Sequence, residues 1–201
     1  MADAETGGRS NQKRRARKAL LEAAARLMKE RGRPTFDEVA EEALVSRATA
    51  YRYFQGIEPL LVEASLDVAM PEPEALFADD HSDDPAARMI KAEAAVDAMV
   101  RAHEVQLRTM MIHALKHSLK AARSGVPARQ NRRTALIEAA LAPLRGLDRP
   151  TVDRLAKALA LVVGTEARLV FRDVLQLDDE EALGIKQWMI RALVEAAQRR
   201  S

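Results

Sequence analysis

Apolar side chains recur every three or four residues along most of the chain, which is the spacing of one face of an α-helix. In residues 13–31, Leu20, Ala24 and Leu27 form one such stripe, and Gly32 follows as a signal for the helix end. No segment alternates apolar and polar side chains convincingly, as a half-buried strand does. The pattern therefore predicts an all-α protein.

Two short helices are predicted after the first one. Thr35 and Glu38 have the spacing of a capping box, so the second helix is expected to begin there. Ser46 is a good N-cap for a third helix over residues 47–54. Two short helices joined by a tight turn make a helix-turn-helix.

The rest of the chain also has helical periodicity, and we expect about nine helices in total. The acidic segment 71–85, which has no Lys or Arg, is expected to be an exposed linker. We assign residues 1–58 to a first domain and residues 59–201 to a second, larger one. The predicted helices of the second domain are 59–68, 86–123 with a break near His103, 128–144, 150–176, and a last helix that follows Asp178.

Composition narrows the class of protein. Apolar residues make up 48% and charged residues 31% of the chain, as in globular domains, and cysteine is absent. Disulfides, thiolate nucleophiles and Cys-ligated metals are therefore excluded. The longest stretch without a charge is residues 158–165, far below the roughly 20 residues of a membrane span. The N-terminus lacks the apolar segment of a secretory signal, so a cytoplasmic location is expected.

Charge is concentrated near the N-terminus. Residues 1–56 carry twelve Lys and Arg against eight Asp and Glu, and Lys13 and Arg14 lie in the most basic run. A basic arm that leads into a helix is typical of a phosphate-binding surface. The alternative is a solvated, frayed N-terminus.

Three of the seven aromatic residues lie within four positions, at Tyr51, Tyr53 and Phe54. Residue Phe54 is expected to share a face with Ala50 and to anchor the third helix. Tyrosines beside arginine favour a phosphate surface over a core. The remaining candidates for nucleic-acid contact occupy the same helix, with Arg47 and Ala48 placed to read guanine and thymine edges and Thr49 and Arg52 placed to contact phosphate.

At these residues the chain resembles the tetracycline-repressor (TetR) family of bacterial transcription regulators. The resemblance runs from residue 19 to about residue 61, and it includes Gly32, Glu58 and the run 45–54. It implies an N-terminal module that binds a palindromic DNA operator, with a C-terminal domain that dimerises and holds a releasing small molecule. Thr35, Lys13 and Arg14 join the candidate DNA contacts.

Two positions depart from the family pattern. Leu44 stands where the family usually has glycine in the turn, and a left-handed leucine costs about 1–2 kcal/mol. The expected result is a rebuilt turn or a shifted helix crossing. Ile57 stands where the family often has a phosphate-binding lysine, so that contact is expected to be lost.

The C-terminal helices carry the predicted dimer interface and effector pocket. The last two helices are apolar over more than one face, and Gly164 is expected to allow close helix approach. The predicted interface residues are Leu159, Val163, Val170, Ile185, Trp188, Met189 and Leu193. Methionine suits a pocket for apolar molecules of variable shape. The candidate pocket residues are Met89, Met99, Met110, Met111, His113, His117 and Phe171.

Two other classes of function remain as alternatives. His113 and His117 are four residues apart and could share a metal on one helical face, which would indicate a metal-binding protein or metalloenzyme. An all-α adaptor that binds protein through Tyr51 is the other alternative. No glycine-rich phosphate loop or nucleophile elbow is present in the sequence, so no enzymatic activity, cofactor or metal is expected.

Overall fold

A computed structural model describes residues 2–120 and 131–199, with side chains for residues 15–116, Val68 excepted, and 131–199. All regular structure within these ranges is helical, as the periodicity predicts, and none of the described helices is long and apolar enough to cross a membrane. The helices are α1 (Ala2–Arg31), α2 (Phe36–Glu42), α3 (Arg47–Tyr51), α4 (Ile57–Ala69), α5 (Pro73–Phe77), α6 (Pro85–Ala102), α7 (Glu104–Lys120), α8 (Arg133–Ala140), α9 (Arg149–Val162), α10 (Thr165–Leu169) with a π-helical turn (Val170–Val174), and α11 (Asp179–Gln198).

The chain forms two compact units. Unit 1 consists of Met1–Ala69 and Val105–Gln130, and unit 2 consists of Met70–Glu104 and Asn131–Ser201. In unit 1, α1 packs against α2 and α4, and α2 packs against α3. One apolar cluster fills the space between them, with Leu20, Leu21, Val39, Ala50, Phe54 and Leu60 among its buried members. Ile57, the second departure from the family pattern, packs against this cluster with its side chain partly buried.

In unit 2, α11 packs along α9 and α6, and α8 lies against α5, α6 and α9. Its core is built from aliphatic side chains because the chain has few rings. The fully buried side chains include Met89, Leu136, Ile137, Leu159 and Ile190.

The predicted helix starts are confirmed where a side chain caps the helix locally. Thr35 and Glu38 form the capping box of α2, with the Thr35 N–H donating to the Glu38 carboxylate over 2.7 Å. That backbone hydrogen bond lowers the pKa of Glu38. Ser46 caps α3, and Asp178 caps α11 through a bond of 2.8 Å from the Glu181 N–H. The break at His103 between α6 and α7 is also confirmed.

The single helix predicted over residues 150–176 is wrong. Helix α9 ends at Val162, Gly164 has a φ of 107°, and the chain restarts as α10 and the π-helical turn. Arg133 from α8 stabilises this break because its Nη1 donates to the carbonyls of Ala160 and Val163, both at 2.7 Å. The absence of a side chain at Gly164 makes room for that guanidinium, whereas the sequence predicted that it allows close helix approach. A Cβ at this position would lie 3.2 Å from Arg133 Cζ.

Other predicted boundaries also differ. Helix α1 begins at Ala2 instead of near residue 13, and α3 ends at Tyr51 instead of at residue 54. The acidic segment 71–85 is more ordered than a linker because it contains α5. Arg88 from α6 lies over the Phe77 ring at 4.1 Å and donates to the Asp80 carbonyl at 2.9 Å. A hydrogen bond from Lys91 lowers the pKa of Asp80, so the segment is tied to α6 by charge as well.

Candidate nucleic-acid interface

Helix α3 and the residues just after it contain both buried and exposed side chains. Ala50 is fully buried and Phe54 is 3% exposed, and both belong to the core of unit 1, as predicted. Arg47, Ala48 and Arg52 are exposed. The first turn of α3 therefore presents side chains that the core does not need for packing.

The turn before α3 keeps the geometry that glycine usually supplies. Leu44 has a φ of 54°, and its N–H donates to the Glu41 carbonyl at 2.9 Å. The next N–H, from Val45, reaches back to the Ala40 carbonyl at 3.0 Å. These two bonds form a Schellman motif, with leucine in its left-handed position. The expected rebuilding of the turn does not occur, and the leucine side chain is 93% exposed.

The Arg47 side chain contacts two neighbouring side chains. Its Nη1 lies 3.1 Å from a carboxylate oxygen of Asp37 in α2, and its guanidinium lies 5.6 Å from the centre of the Tyr51 ring. A hydrogen bond with Tyr51, and secondly the charge of Asp37, raise the pKa of Arg47. Tyr51 in turn stacks on the buried ring of Phe36, with ring centres 4.5 Å apart. Sequence reasoning missed Asp37, although its charge in the first turn of α2 was visible.

The other predicted DNA contacts have different surroundings. Thr49 is partly buried and accepts a 2.9 Å hydrogen bond from the Ser46 hydroxyl, while Thr35 is exposed and engaged by Glu38. The side chains of Lys13 and Arg14 lie outside the described residues. The sequence predicts Tyr53 on the DNA-facing side with Tyr51, but the structure places it in the core at 7% exposure. Tyr53 lies two residues past the end of α3, and it joins Phe54 in the core cluster of unit 1.

A buried ion pair lies beneath the end of α3. Arg17 of α1 and Glu63 of α4 are joined by two hydrogen bonds of 2.6 Å, and the Arg17 guanidinium lies 4.7 Å from the centre of the Phe54 ring. The pair borders a small cavity of unit 1 that Tyr53 and Met110 also line. Sequence reasoning missed this pair. The signal was an arginine on the apolar stripe of α1, three residues before Leu20.

The residues predicted to line one effector pocket are not brought together within either unit. Met110, Met111 and His113 belong to unit 1, where Met110 and His113 line the small cavity beside Arg17. Met89 and Met99 lie on α6 in unit 2, and Phe171 lines a separate, polar cavity with Arg168 and Lys186.

Only one of the two predicted metal ligands, His113 and His117, has a side chain that the structure describes. His113 is exposed, and the side chain of His117 lies outside the described residues. Among the side chains that the structure does describe, no group of three or more His, Asp or Glu is placed to hold a metal ion.

The predicted dimer residues include both buried and exposed side chains of unit 2. Leu159 and Val163 are fully buried within the single chain, and Ile185, Met189 and Leu193 are partly buried. Val170 and Trp188 are exposed, Trp188 to 70%. Leu161, at 77% exposure, lies on α9 and was not among the predicted residues. Among the residues that the structure describes, the large apolar side chains left exposed on unit 2 are Leu161, Val170, Val174, Leu175, Leu183 and Trp188.

Comparison with known proteins locates the likeness in unit 1. The family model described as "Bacterial regulatory proteins, tetR family" matches residues 20–64, from the middle of α1 into α4. This segment contains the capping box of α2, the Leu44 turn and all of α3. No curated protein matches the chain at a significant level.

Proposed function

Since the chain carries the DNA-binding domain of the tetR family of bacterial regulatory proteins, we propose that it represses transcription. It binds a palindromic operator as a homodimer in this proposal, and a small, mainly apolar effector releases it from the DNA. Residues 1–58 contact DNA in this proposal, and residues 59–201 dimerise and hold the effector. DNA binding and transcription regulation follow from the family. Repression, the dimer and the effector are the proposed parts.

The observation that carries the proposal is the exposed first turn of α3. Arg47 and Ala48 are exposed at the start of a helix that Ala50, and Phe54 just after the helix end, anchor to the core of unit 1. A recognition helix that enters the major groove by its N-terminus uses these positions to contact base edges. Arg47 has the two-pronged donor geometry that matches the O6 and N7 atoms of guanine.

The homodimer is supported by the apolar side chains on the outer surface of unit 2. Trp188 and Leu161 are large, and each leaves more than two thirds of its surface exposed. If these side chains are contiguous, they form the kind of apolar patch that marks an association surface. A two-fold dimer would place two copies of α3 on inverted half-sites about one helical turn of DNA apart.

The proposed operator is tested by selection from a library of random duplex DNA with the full-length protein, followed by binding titrations at several salt concentrations. We expect one enriched sequence with two inverted half-sites. Arg47→Ala should lose about 1–3 kcal/mol of discrimination at one base position, whereas Lys13→Ala should weaken binding to every sequence and reduce the salt dependence. A library with no enriched sequence, and equal affinity for selected and random DNA, would rule the proposal out.

The dimer is tested by sedimentation of the full-length protein. Trp188→Glu should shift the population from dimer to monomer because it places a charge in an apolar contact. Val105→Glu is the matched control, since Val105 is 75% exposed but lies in unit 1. A wild-type protein that sediments as a monomer at tens of micromolar would contradict the dimer.

A further inference from the structure

We propose that Asp37 is a specificity-determining residue of this DNA-binding surface: its carboxylate orients Arg47 in the free protein and competes with DNA for the same guanidinium. The inference rests on the proposed function, and it deepens that function by assigning a role in sequence discrimination to an acidic residue. Nothing in the sequence pattern or the family match assigns this role to Asp37.

The geometry places the two charges on adjoining helices. Asp37 is the second residue of α2 and Arg47 is the first residue of α3, and they meet across the turn with an Nη1–Oδ2 distance of 3.1 Å. Their side chains are 60% and 63% exposed, so the pair lies at the surface where a DNA ligand would reach both. The bond between them is accordingly available for exchange with an external acceptor.

Aromatic contacts limit where the Arg47 guanidinium can go. The guanidinium lies over the face of Tyr51, and Tyr51 is stacked on the buried ring of Phe36. Asp37 thus contacts Nη1 of the guanidinium, while the Tyr51 ring lies 5.6 Å from its centre. A long side chain oriented before binding loses less conformational entropy when it binds.

The charge of Asp37 then sets a threshold for binding. A carboxylate beside the reading arginine repels phosphate and weakens contact with any DNA sequence. Guanine repays the exchange because its O6 and N7 accept two hydrogen bonds from one guanidinium, whereas other base pairs offer poorer acceptors in the major groove. Because this repulsion acts on every sequence, the discrimination comes from the orientation that Asp37 gives Arg47, which favours the base pair whose two acceptors match both donors.

The experiment compares wild type with Asp37→Asn by titrating the duplex selected by the wild-type protein, the same duplex with single base-pair changes, and random duplex. We expect Asp37→Asn to bind random DNA about threefold more tightly at low salt, because one repulsive charge is gone. Its preference for the selected duplex over the duplex changed at the Arg47 position should fall at least about fivefold. Circular dichroism melting verifies that each variant is folded.

Glu41→Gln is the matched charge control, since Glu41 is exposed on the same helix and is not a partner of Arg47 in the structure. It should leave the sequence preference unchanged. In an Arg47→Ala background, Asp37→Asn should no longer alter that preference, because Asp37 acts through Arg47.

Each result bears on one of the two proposals. If wild type selects no sequence, the proposed function fails and this inference fails with it. If wild type selects a sequence but Asp37→Asn strengthens selected and altered duplexes equally, the proposed function stands and the role of Asp37 is overturned. That role is overturned as well if the effect of Asp37→Asn on sequence preference persists without Arg47.

Discussion

The guanidinium of Arg17 and the carboxylate of Glu63 face each other in a two-point ion pair whose two N–O distances are both 2.6 Å. The side chains are only 7% and 5% exposed, so the pair is shielded from water. It joins α1 to α4, and Phe54 from the end of α3 packs on the arginine. The ion pair therefore supports the base of the proposed DNA-reading helix.

Removing one member of the Arg17–Glu63 pair should destabilise the folded protein. Arg17→Met removes the cation that forms two 2.6 Å hydrogen bonds with the buried Glu63 carboxylate, and we expect a loss of about 3–5 kcal/mol in the free energy of unfolding. Urea denaturation followed by circular dichroism measures the loss. The double variant Arg17→Met with Glu63→Met should recover most of it, since both charges of the pair are removed together. A single variant within about 1 kcal/mol of wild type, the margin of one ordinary hydrogen bond, would contradict this interpretation.

Leu44→Gly should stabilise the protein. The position is left-handed, which glycine adopts without strain, and the leucine side chain contributes little packing at 93% exposure. The gain should be about 0.5–1 kcal/mol, because the added flexibility of the unfolded chain offsets part of the relieved strain. Thermal unfolding of both proteins measures it. Ala43→Gly, one residue earlier at a φ of −78°, is the control and should destabilise.

Two glycines of unit 2 should respond in opposite directions to alanine. Gly164→Ala places a Cβ against Arg133 at a φ of 107°, and we expect a loss of at least about 1–2 kcal/mol. Gly184 lies inside α11 with open space around it, so Gly184→Ala should gain about 0.5–1 kcal/mol from helix propensity. Urea midpoints of the two variants give the comparison. Equal effects would show that the break after α9 does not depend on glycine.

Lys186→Met should destabilise the protein in a pH-dependent way. Lys186 is buried, and its Nζ lies 2.5 Å from Glu93 and 2.9 Å from Asp97. Burial raises the pKa of Glu93, and the hydrogen bond from Lys186 opposes that rise. Without Lys186 the pKa of Glu93 should rise further. A buried, ionised Glu93 then destabilises the folded protein, and this effect is largest at neutral pH. The expected loss is about 3–5 kcal/mol near neutral pH.

The sign of the pH effect follows from linkage. A carboxyl whose pKa is higher in the folded than in the unfolded state favours folding once it is protonated, so the loss in Lys186→Met should shrink as the pH falls toward about 5. Urea denaturation at the two pH values tests this. Adding Glu93→Gln to Lys186→Met should remove most of the pH dependence. An equal loss at both pH values would show that Glu93 is not the responsible group.

Local signals in the sequence predicted local structure well. The capping residues Thr35, Ser46 and Asp178 determine helix starts through hydrogen bonds to residues three positions away, so their effect is readable from spacing alone. The break after α9 depends on Arg133, whose carbonyl partners lie 27 and 30 positions further along the chain. Spacing within residues 150–176 carries no trace of that partner, and this is why one continuous helix was predicted.

The candidate site shows the same limit. The burial of Ala50 and Phe54 followed from their four-residue spacing, whereas Tyr53, predicted on the DNA-facing side from its chemistry, is buried. The Asp37–Arg47 pair was not predicted because its contact depends on how α2 and α3 cross at Leu44. Charge and residue type predicted Arg47 as a base-reading residue, whereas its contact with Asp37 could be found only from the fold.

Unit 1 is not one continuous stretch of chain: α7 completes it after the chain has passed through unit 2 and returned. The small cavity beside Arg17 and Tyr53 is therefore completed only after Met110, which also lines it, has been synthesised. A fragment that stops after α4 would retain the helix-turn-helix and leave this side open to water. The N-terminal module is for this reason better studied in the full chain than as an excised piece.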